Sequence, residues 1–334
     1  MNVLSLFNGM SFGRMALDTM GVKVDNYYSS EIDKYANQVA QALFPDTIQL
    51  GDVTQWREWD VDWASINLVT GGFPCQAWSM AGKQLGDKDE RGMLFWTMLD
   101  IIKHVKYHNP KADFLIENVK MKKEFEQYIT AHTENALGKV HKILINSALV
   151  SAQNRNRYYW TSFEVGQPED KGVLLKDIID KNADEKYNLT DKCVNKIKRY
   201  NNADKMLDDQ DKSLCLVAGY HKLGRDNTYI HIANPCNFIK SAAERGRGFE
   251  VRKGDKANCL LSDGHQSGWL ANDGAKYRKL TPRECFRLQT VPEHHINTLL
   301  NAGISNTQLY KMCGNGWTHD VITHILKHKF KEGK

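Results

Sequence analysis

The strongest constraint on what this chain can fold into is an alternation of period. Over the first 160 residues, short β-rich runs trade places with longer stretches of helical spacing. VLSLF (3–7) reads as a strand, followed by a small-residue turn and a helix through Leu17. DNYYSSE (25–31) reads as a second strand with a helix near 33–43, IQLGD (48–52) as a third, and INLVTGG (66–72) as a fourth that breaks on two glycines. MLFWTMLDIIKHV (93–105) has helical periodicity and ADFLIENV (112–119) is a fifth strand. KILINSALV and RYYWTSF follow as two more β-rich runs. Strand alternating with helix predicts an α/β fold, a doubly wound, mostly parallel sheet with helices on both faces.

In such a sheet, ligands bind outside the carboxyl ends of the strands. Those ends carry, in order, the turn Asn8-Gly9, then Glu31, Asp52, the string Gly71-Gly72-Phe73-Pro74-Cys75-Gln76, and Glu117-Asn118. The glycine turn lets backbone approach a ligand, but its G-x-S-F-G spacing does not serve a dinucleotide pyrophosphate. Glu31 offers two acceptor oxygens to a ribose diol, and Asp52 can accept from an exocyclic amine. Cys75 follows a proline in a glycine-flanked loop, a place where a thiol can be exposed and its thiolate favoured. Glu117 is the carboxylate of an otherwise apolar strand end, suited to proton donation. Arg155 and Arg157, at alternate positions in QNRNR, point the same way, as phosphate or base-edge binders would. The set describes a nucleoside-type cofactor site beside a covalent active site.

Other classes recede. Seven cysteines with no CxxC pair make neither a disulfide framework nor a zinc knuckle. No apolar run reaches 18 residues, and the N-terminus does not read as a signal peptide, so a cytoplasmic protein with no membrane association is expected. The net charge of +5 permits nucleic-acid binding without demanding it. His319, His324 and His328 fall on one C-terminal helix and read as a solvated face, and His294-His295 as a turn after Pro292. No metal site is expected.

GGFPCQ, ENV, QNRNR, the LTPRE string and YKMCGNG, in this order and spacing, resemble the ordered motifs of the cytosine-5 DNA methyltransferase family, in its bacterial and phage form. LSLFNGMSFGRMAL is similar to the opening of bacterial, phage and animal de novo members. The motifs cover residues 1–163 and about 278–330. The resemblance implies S-adenosylmethionine as cofactor, S-adenosylhomocysteine as product, and a flipped-out cytosine in duplex DNA as substrate. It implies that Phe7 stacks on the adenine, Glu31 holds the ribose and Asp52 takes the adenine amine. Asn8, Gly9, Met10, Ile32, Val53, Leu94, Asn315 and Gly316 would line the rest of the pocket. Cys75 would attack C6, Glu117 would bond N3 and N4, Arg157 would hold the base and Arg155 the neighbouring phosphate, with Gln76 and Ser79 against the DNA. Ser11-Phe12 departs from a common Gly-Gly pair, and Ile32 from a common aromatic.

The expected division is a catalytic and cofactor-binding domain, 1–163 plus 280–334, and an inserted target-recognition domain, 164–279. The insert carries 21 basic and 18 acidic residues with no long amphipathic period. Its stretch from Lys240 to Lys256, with Arg245, Arg247 and Arg252, reads as a clamp on the DNA backbone. From Leu280 the pattern is helical again, with Thr281 as N-cap, Pro282 at N1 and Glu284 at N3, a capping box, and a last helix near 307–330. A monomer is expected, and the resemblance leaves open either a cognate restriction endonuclease as a further partner or an orphan or phage enzyme without one. An RNA cytosine-5 methyltransferase and a catalytically silent binding protein are the alternatives. The length of the insert favours DNA over RNA, and retention of Cys75, Glu117 and Arg157 favours an enzyme.

Overall fold

Why the alternating pattern closes into one layered body follows from where each strand places its apolar side chains. In this computed structural model the described residues are 1–74, 90–180, 182–190, 193, 206–207, 212–218, 220–222, 228–231, 236–237, 250–251 and 277–331. Seven strands form the main sheet: β1 (Asn2–Leu6), β2 (Asn26–Ser30), β3 (Thr47–Gln49), β4 (Ile66–Gly72), β5 (Asp113–Val119), β6 (His141–Asn146) and β7 (Asn156–Thr161). Their order is β3-β2-β1-β4-β5-β7-β6. The first five pair in parallel, and β7 runs antiparallel to both β5 and β6. The chain reverses its direction of travel across the sheet between β1 and β4, the crevice where ligands of such sheets bind.

The helices α1 (Phe12–Thr19), α2 (Lys34–Leu43), α3 (Glu90–His108) and α4 (Lys123–Leu137) cross between these strands. Both faces of the sheet are buried, so β1 is apolar almost throughout: Val3 packs on one face while Leu4 and Leu6 pack in the cluster on the other. Each such side chain contributes about 1.5–3 kcal/mol when fully buried. Four C-terminal helices complete the body: α5 (Pro282–Leu288), α6 (Glu293–Asn301), α7 (Asn306–Asn315) and α8 (His319–Lys331). α8 packs on α1, and α2 on α6.

The capping box on α5 forms in both directions: Glu284 N donates to Thr281 Oγ1, and Thr281 N to Glu284 Oε2. Four expectations need correction. The run 142–150 is not one strand, because Asn146 accepts from Ala148 N and starts a 3-10 turn over Ser147–Leu149. His294-His295 belongs to helix α6, whose Ile296 and Leu299 are buried at helical spacing. The single C-terminal helix is two, parted at Gly316–Thr318. Nor do all its histidines lie on a solvated face: His319 is buried against Thr19 Oγ1 at 2.9 Å, while the half-buried His324 meets the Gly166 carbonyl at 2.8 Å.

Between residues 206 and 279 the described residues include a small sheet of β8 (Met206–Leu207), β9 (Tyr229–His231) and β12 (Tyr277–Lys279), and a pair of two-residue strands, β10 (Cys236–Asn237) and β11 (Glu250–Val251). Arg278 on β12 makes a bidentate pair with the fully buried Glu284 of α5 at 2.7 and 2.8 Å, which ties this sheet to the C-terminal helices. No helix among the described residues is long and apolar enough to cross a membrane.

Candidate active site

The turn after β1 is built from strained backbone. Phe7, Gly9 and Ser11 all have positive φ, at 54°, 57° and 65°. A non-glycine residue there costs on the order of 1–3 kcal/mol and persists only when its surroundings enforce it. Here the enforcement is visible: Asn8 donates from its amide to Ser11 Oγ at 2.8 Å and accepts from Tyr27 Oη at 3.0 Å. The Asn8 side chain is therefore committed to the turn. Gly9 N donates to Glu31 Oε2 at 2.9 Å, and Ile32 N and Asp33 N donate to Oε1, both at 2.8 Å. Three amides thus fix the Glu31 carboxylate at the end of β2.

Asp52 follows β3 and caps a 3-10 turn, accepting from Thr54 N at 2.8 Å and Thr54 Oγ1 at 2.9 Å. Beside Glu31, Asp33 caps α2 and meets Lys311 Nζ at 2.7 Å. Burial works against ionisation of Asp33, but Lys311 and the Tyr35 amide outweigh it and hold its carboxyl below the usual range.

On the other side of the switch point, Glu117 lies on β5 directly across from Gly72 of β4. It is 9% exposed, and its setting is polar rather than apolar: Arg157 Nε sits 3.0 Å from Oε1, and Trp317 Nε1 donates to Oε2 at 3.1 Å. Asn118 holds the neighbouring loop by donating to the Phe73 carbonyl at 3.1 Å.

Arg155 behaves differently from expectation. It is 2% exposed, and four of its five N–H groups are taken: Nη1 by Leu216 O (3.0 Å) and Cys215 Sγ (3.3 Å), Nη2 by Gly314 O (3.1 Å) and Gly316 O (2.7 Å). The guanidinium is spent on the C-terminal carbonyls of α7 and on the 212–218 segment, so in this structure it braces the site and is not free to hold a phosphate. Arg157 Nη2 also approaches Cys215 Sγ, at 3.8 Å. Burial pushes the Cys215 thiol up, but the two guanidiniums outweigh it and leave it below its ordinary value.

These elements enclose one cavity of about 460 Å³, within the usual range for a small-molecule site. Phe7, Asn8, Gly9, Met10, Glu31, Ile32, Asp52, Val53, Leu94, Asn315 and Gly316 line it together with Glu117, Arg155 and Arg157. All fourteen of the expected residues that the structure describes therefore meet in one place. Pro74, the residue before Cys75, is also in its wall. Cys75, Gln76, Ser79, Arg245, Arg247 and Arg252 lie outside the described residues.

Sequence reasoning missed Asp33, Lys311, Trp317 and Cys215. Lys311 and Trp317 flank the C-terminal glycine-asparagine string and were within reach; nothing in the sequence marks Cys215. Ile32 is 76% exposed at the rim. Among the described residues, Asp18, His294 and His295 are the one grouping whose ligand atoms could hold a metal ion, within 4.8 Å of one another, and none of them lines the cavity.

The family model for C-5 cytosine-specific DNA methylase matches residues 1–331. Type II methyltransferase M1.ScrFI of Lactococcus lactis subsp. cremoris is 30% identical over 99% of this chain and 78% of its own length. Type II methyltransferase M.NlaX of Neisseria lactamica is 29% identical over 97% of this chain and 95% of its own. A Spodoptera frugiperda DNMT2 mutant superposes with a TM-score of 0.66 at 20% identity, covering 98% of this chain and 99% of that one. That last match runs the length of both chains, so the size of the 164–279 segment does not set this protein apart from a DNMT2 fold.

Proposed function

The chain belongs to the C-5 cytosine-specific DNA methylase family and is an S-adenosylmethionine-dependent DNA cytosine-5 methyltransferase; from that premise we propose how its residues divide the reaction. S-adenosylmethionine would rest on the β1–β3 side of the cavity. The donor set there suits it: an aromatic ring at Phe7, a fixed carboxylate at Glu31 for the ribose hydroxyls, and a second at Asp52 for the adenine amine. When bound, S-adenosylmethionine supplies an activated methyl group.

The β4, β5 and β7 side carries the chemistry. C5 of cytosine is not nucleophilic in the aromatic ring, and inside a base stack it is out of reach, so the base is rotated into the pocket at a cost of a few kcal/mol. The Cys75 thiolate attacks C6, forming a C6–S bond and moving electron density to C5. Glu117 donates a proton to N3 and accepts from the N4 amine, which neutralises the charge that develops in the ring, while Arg157 holds the base edge. Once C5 carries the methyl group, loss of the C5 proton to a solvent water restores the C5–C6 double bond and expels Cys75 as thiolate. No step needs a metal ion.

Residues 164–279 act as the target-recognition domain, with Arg245, Arg247 and Arg252 on the DNA backbone, against a catalytic domain of 1–163 plus 280–334. A cytoplasmic monomer with a cognate restriction endonuclease completes the proposal. The observation that carries the proposal is the convergence of the cofactor carboxylates and the Glu117–Arg157 pair on one cavity.

The test is transfer of labelled methyl to duplex DNA, to tRNA and to no acceptor. Duplex DNA should be the acceptor. Cys75→Ala should abolish transfer while binding S-adenosylmethionine as before, and duplex with 5-fluorocytosine should trap an adduct only on the Cys75 protein. Transfer by Cys75→Ala, or preferential labelling of tRNA, would overturn the proposal.

A further inference from the structure

We infer that Trp317 is a positioning residue for Glu117, holding the plane of its carboxylate from the side opposite Arg157. The inference rests on the role given above to Glu117. Trp317 lies in the break between α7 and α8, 200 residues along the chain from its partner, and its indole Nε1 donates to Glu117 Oε2 at 3.1 Å. Arg157 meets the other oxygen, Oε1, at 3.0 Å. With an ion pair on one oxygen and a hydrogen bond on the other, rotation of the carboxylate about its last bond breaks at least one contact. A carboxylate that must read the edge of a flat base needs that rotation fixed, because its hydrogen bonds weaken steeply out of line. An indole N–H can only donate, so a half-buried tryptophan beside a carboxylate is bound to this one polarity.

The surrounding backbone is cut to fit the contact. Gly72 lies across from Glu117 in the β4–β5 register. A Cβ at 72 would stand 2.9 Å from Glu117 Oε2 and 3.0 Å from Trp317 Nε1, crowding both partners. Under the indole, a Cβ at Gly13 would come within 3.7 Å of Trp317 Cζ3. At Gly316, next to the tryptophan, a Cβ would fall 2.1 Å from the Phe12 ring, so the ring occupies that space. Gly72 is thus the glycine that leaves room for the indole and its bond to Glu117, while Gly316 makes way for Phe12. Arg157, the opposite partner, is itself steadied at Cys215.

The experiment compares Trp317→Phe, which keeps the aromatic bulk and removes the N–H, with wild type in both the native and the Glu117→Ala background. Single-turnover methyl transfer to duplex DNA is read alongside calorimetric binding of S-adenosylhomocysteine and the melting temperature. Loss of one hydrogen bond to a charged group predicts a rate lower by roughly 10- to 100-fold, with cofactor affinity and melting temperature nearly unchanged. In the Glu117→Ala background the same substitution should change the rate less than twofold, because the residue acts through Glu117. Gly72→Ala, which retains both side chains but crowds a methyl against their contact, should reproduce the loss and serves if Trp317→Phe does not fold. A rate for Trp317→Phe within twofold of wild type overturns the inference, as does an equal loss in both backgrounds. If Glu117→Ala itself transfers at the wild-type rate, the role of Glu117 falls and this inference with it; if Glu117→Ala is impaired and Trp317→Phe is not, only this inference falls.

Discussion

Arg155→Ala separates two roles that the sequence alone leaves open. As a brace, Arg155 satisfies three backbone carbonyls and one sulfur in a site that is 98% enclosed. Each hydrogen bond to a charged group is worth about 1.5–3 kcal/mol. The four are not additive, since water enters the space left by the side chain, and a net loss of about 3–5 kcal/mol is expected, as for breaking a buried charged cluster. An unfolding entropy of about 2.1 cal/mol/K per residue, over 334 residues, gives about 0.7 kcal/mol/K. The melting temperature should therefore fall by roughly 4–7 °C. Arg155→Lys keeps the charge on a single head and should recover about half of that loss. A phosphate ligand behaves in the opposite way: its removal leaves melting alone and lowers the log–log salt slope of DNA binding by about 0.9. Calorimetric melts beside DNA binding at several salt concentrations read both. A variant that melts within about 1 °C of wild type and loses one unit of salt slope would refute the bracing role.

Glu31→Ala and Asp52→Ala should each weaken S-adenosylmethionine binding by about 1–3 kcal/mol, with Glu31→Ala the worse because it also releases three amides of the turn; unchanged affinity in calorimetry for both would remove them from the site. Glu284→Gln leaves the Arg278 charge buried without its partner and should cost about 3–5 kcal/mol in urea unfolding, whereas a loss under about 1 kcal/mol would mean the pair is replaceable by a neutral group. Burial against Phe44, with the charge of His294 adding to it, pushes His295 down to about 4. The fold therefore holds His295 neutral while the unfolded chain takes a proton below about 6.5, so the stability is complete above that pH and is lost as pH falls toward 4, by up to about 3 kcal/mol. Between pH 7 and 5, wild type should lose about 2 kcal/mol more than His295→Leu in urea unfolding; equal losses would show that His295 is not held neutral.

What the sequence made legible is what depends on neighbours along the chain. β1, β4 and β5 announce themselves by runs of apolar residues and β2 by paired tyrosines, and each of the first five strands leads to a residue whose chemistry is plain: Gly9, Glu31, Asp52, Gly72, Glu117. Parallel order then brings those ends to one rim, so the cofactor wall could be assembled without a contact map. The same locality explains the capping box at Thr281 and Glu284, three residues apart. It also explains the error at His294-His295. Pro292 closely followed by two histidines reads as a turn, and the helix there is held by tertiary burial of Ile296 and Leu299 more than by propensity.

The remainder was illegible because its partners lie far apart. The roles of Arg155 and Trp317 depend on which groups stand opposite, and those groups come from the 212–218 segment, the end of α7 and β5. The departure at Ser11-Phe12 makes the same point. Read along the chain, a bulky pair where relatives often carry two glycines suggests a cofactor turn with altered geometry. In the folded protein Ser11 takes a positive φ, held by Asn8, and the Phe12 ring fills the volume that a side chain at 316 would need. The bulk is thus exchanged across 304 residues of sequence, with phenylalanine on one side of the cavity wall and glycine on the other. Neither residue is interpretable alone: a side chain at 316 would be displaced by Phe12, and a glycine at 12 would leave a void beside Gly316 and the indole of Trp317. Pocket shape here belongs to the pair, and a one-dimensional reading sees only half of it at a time.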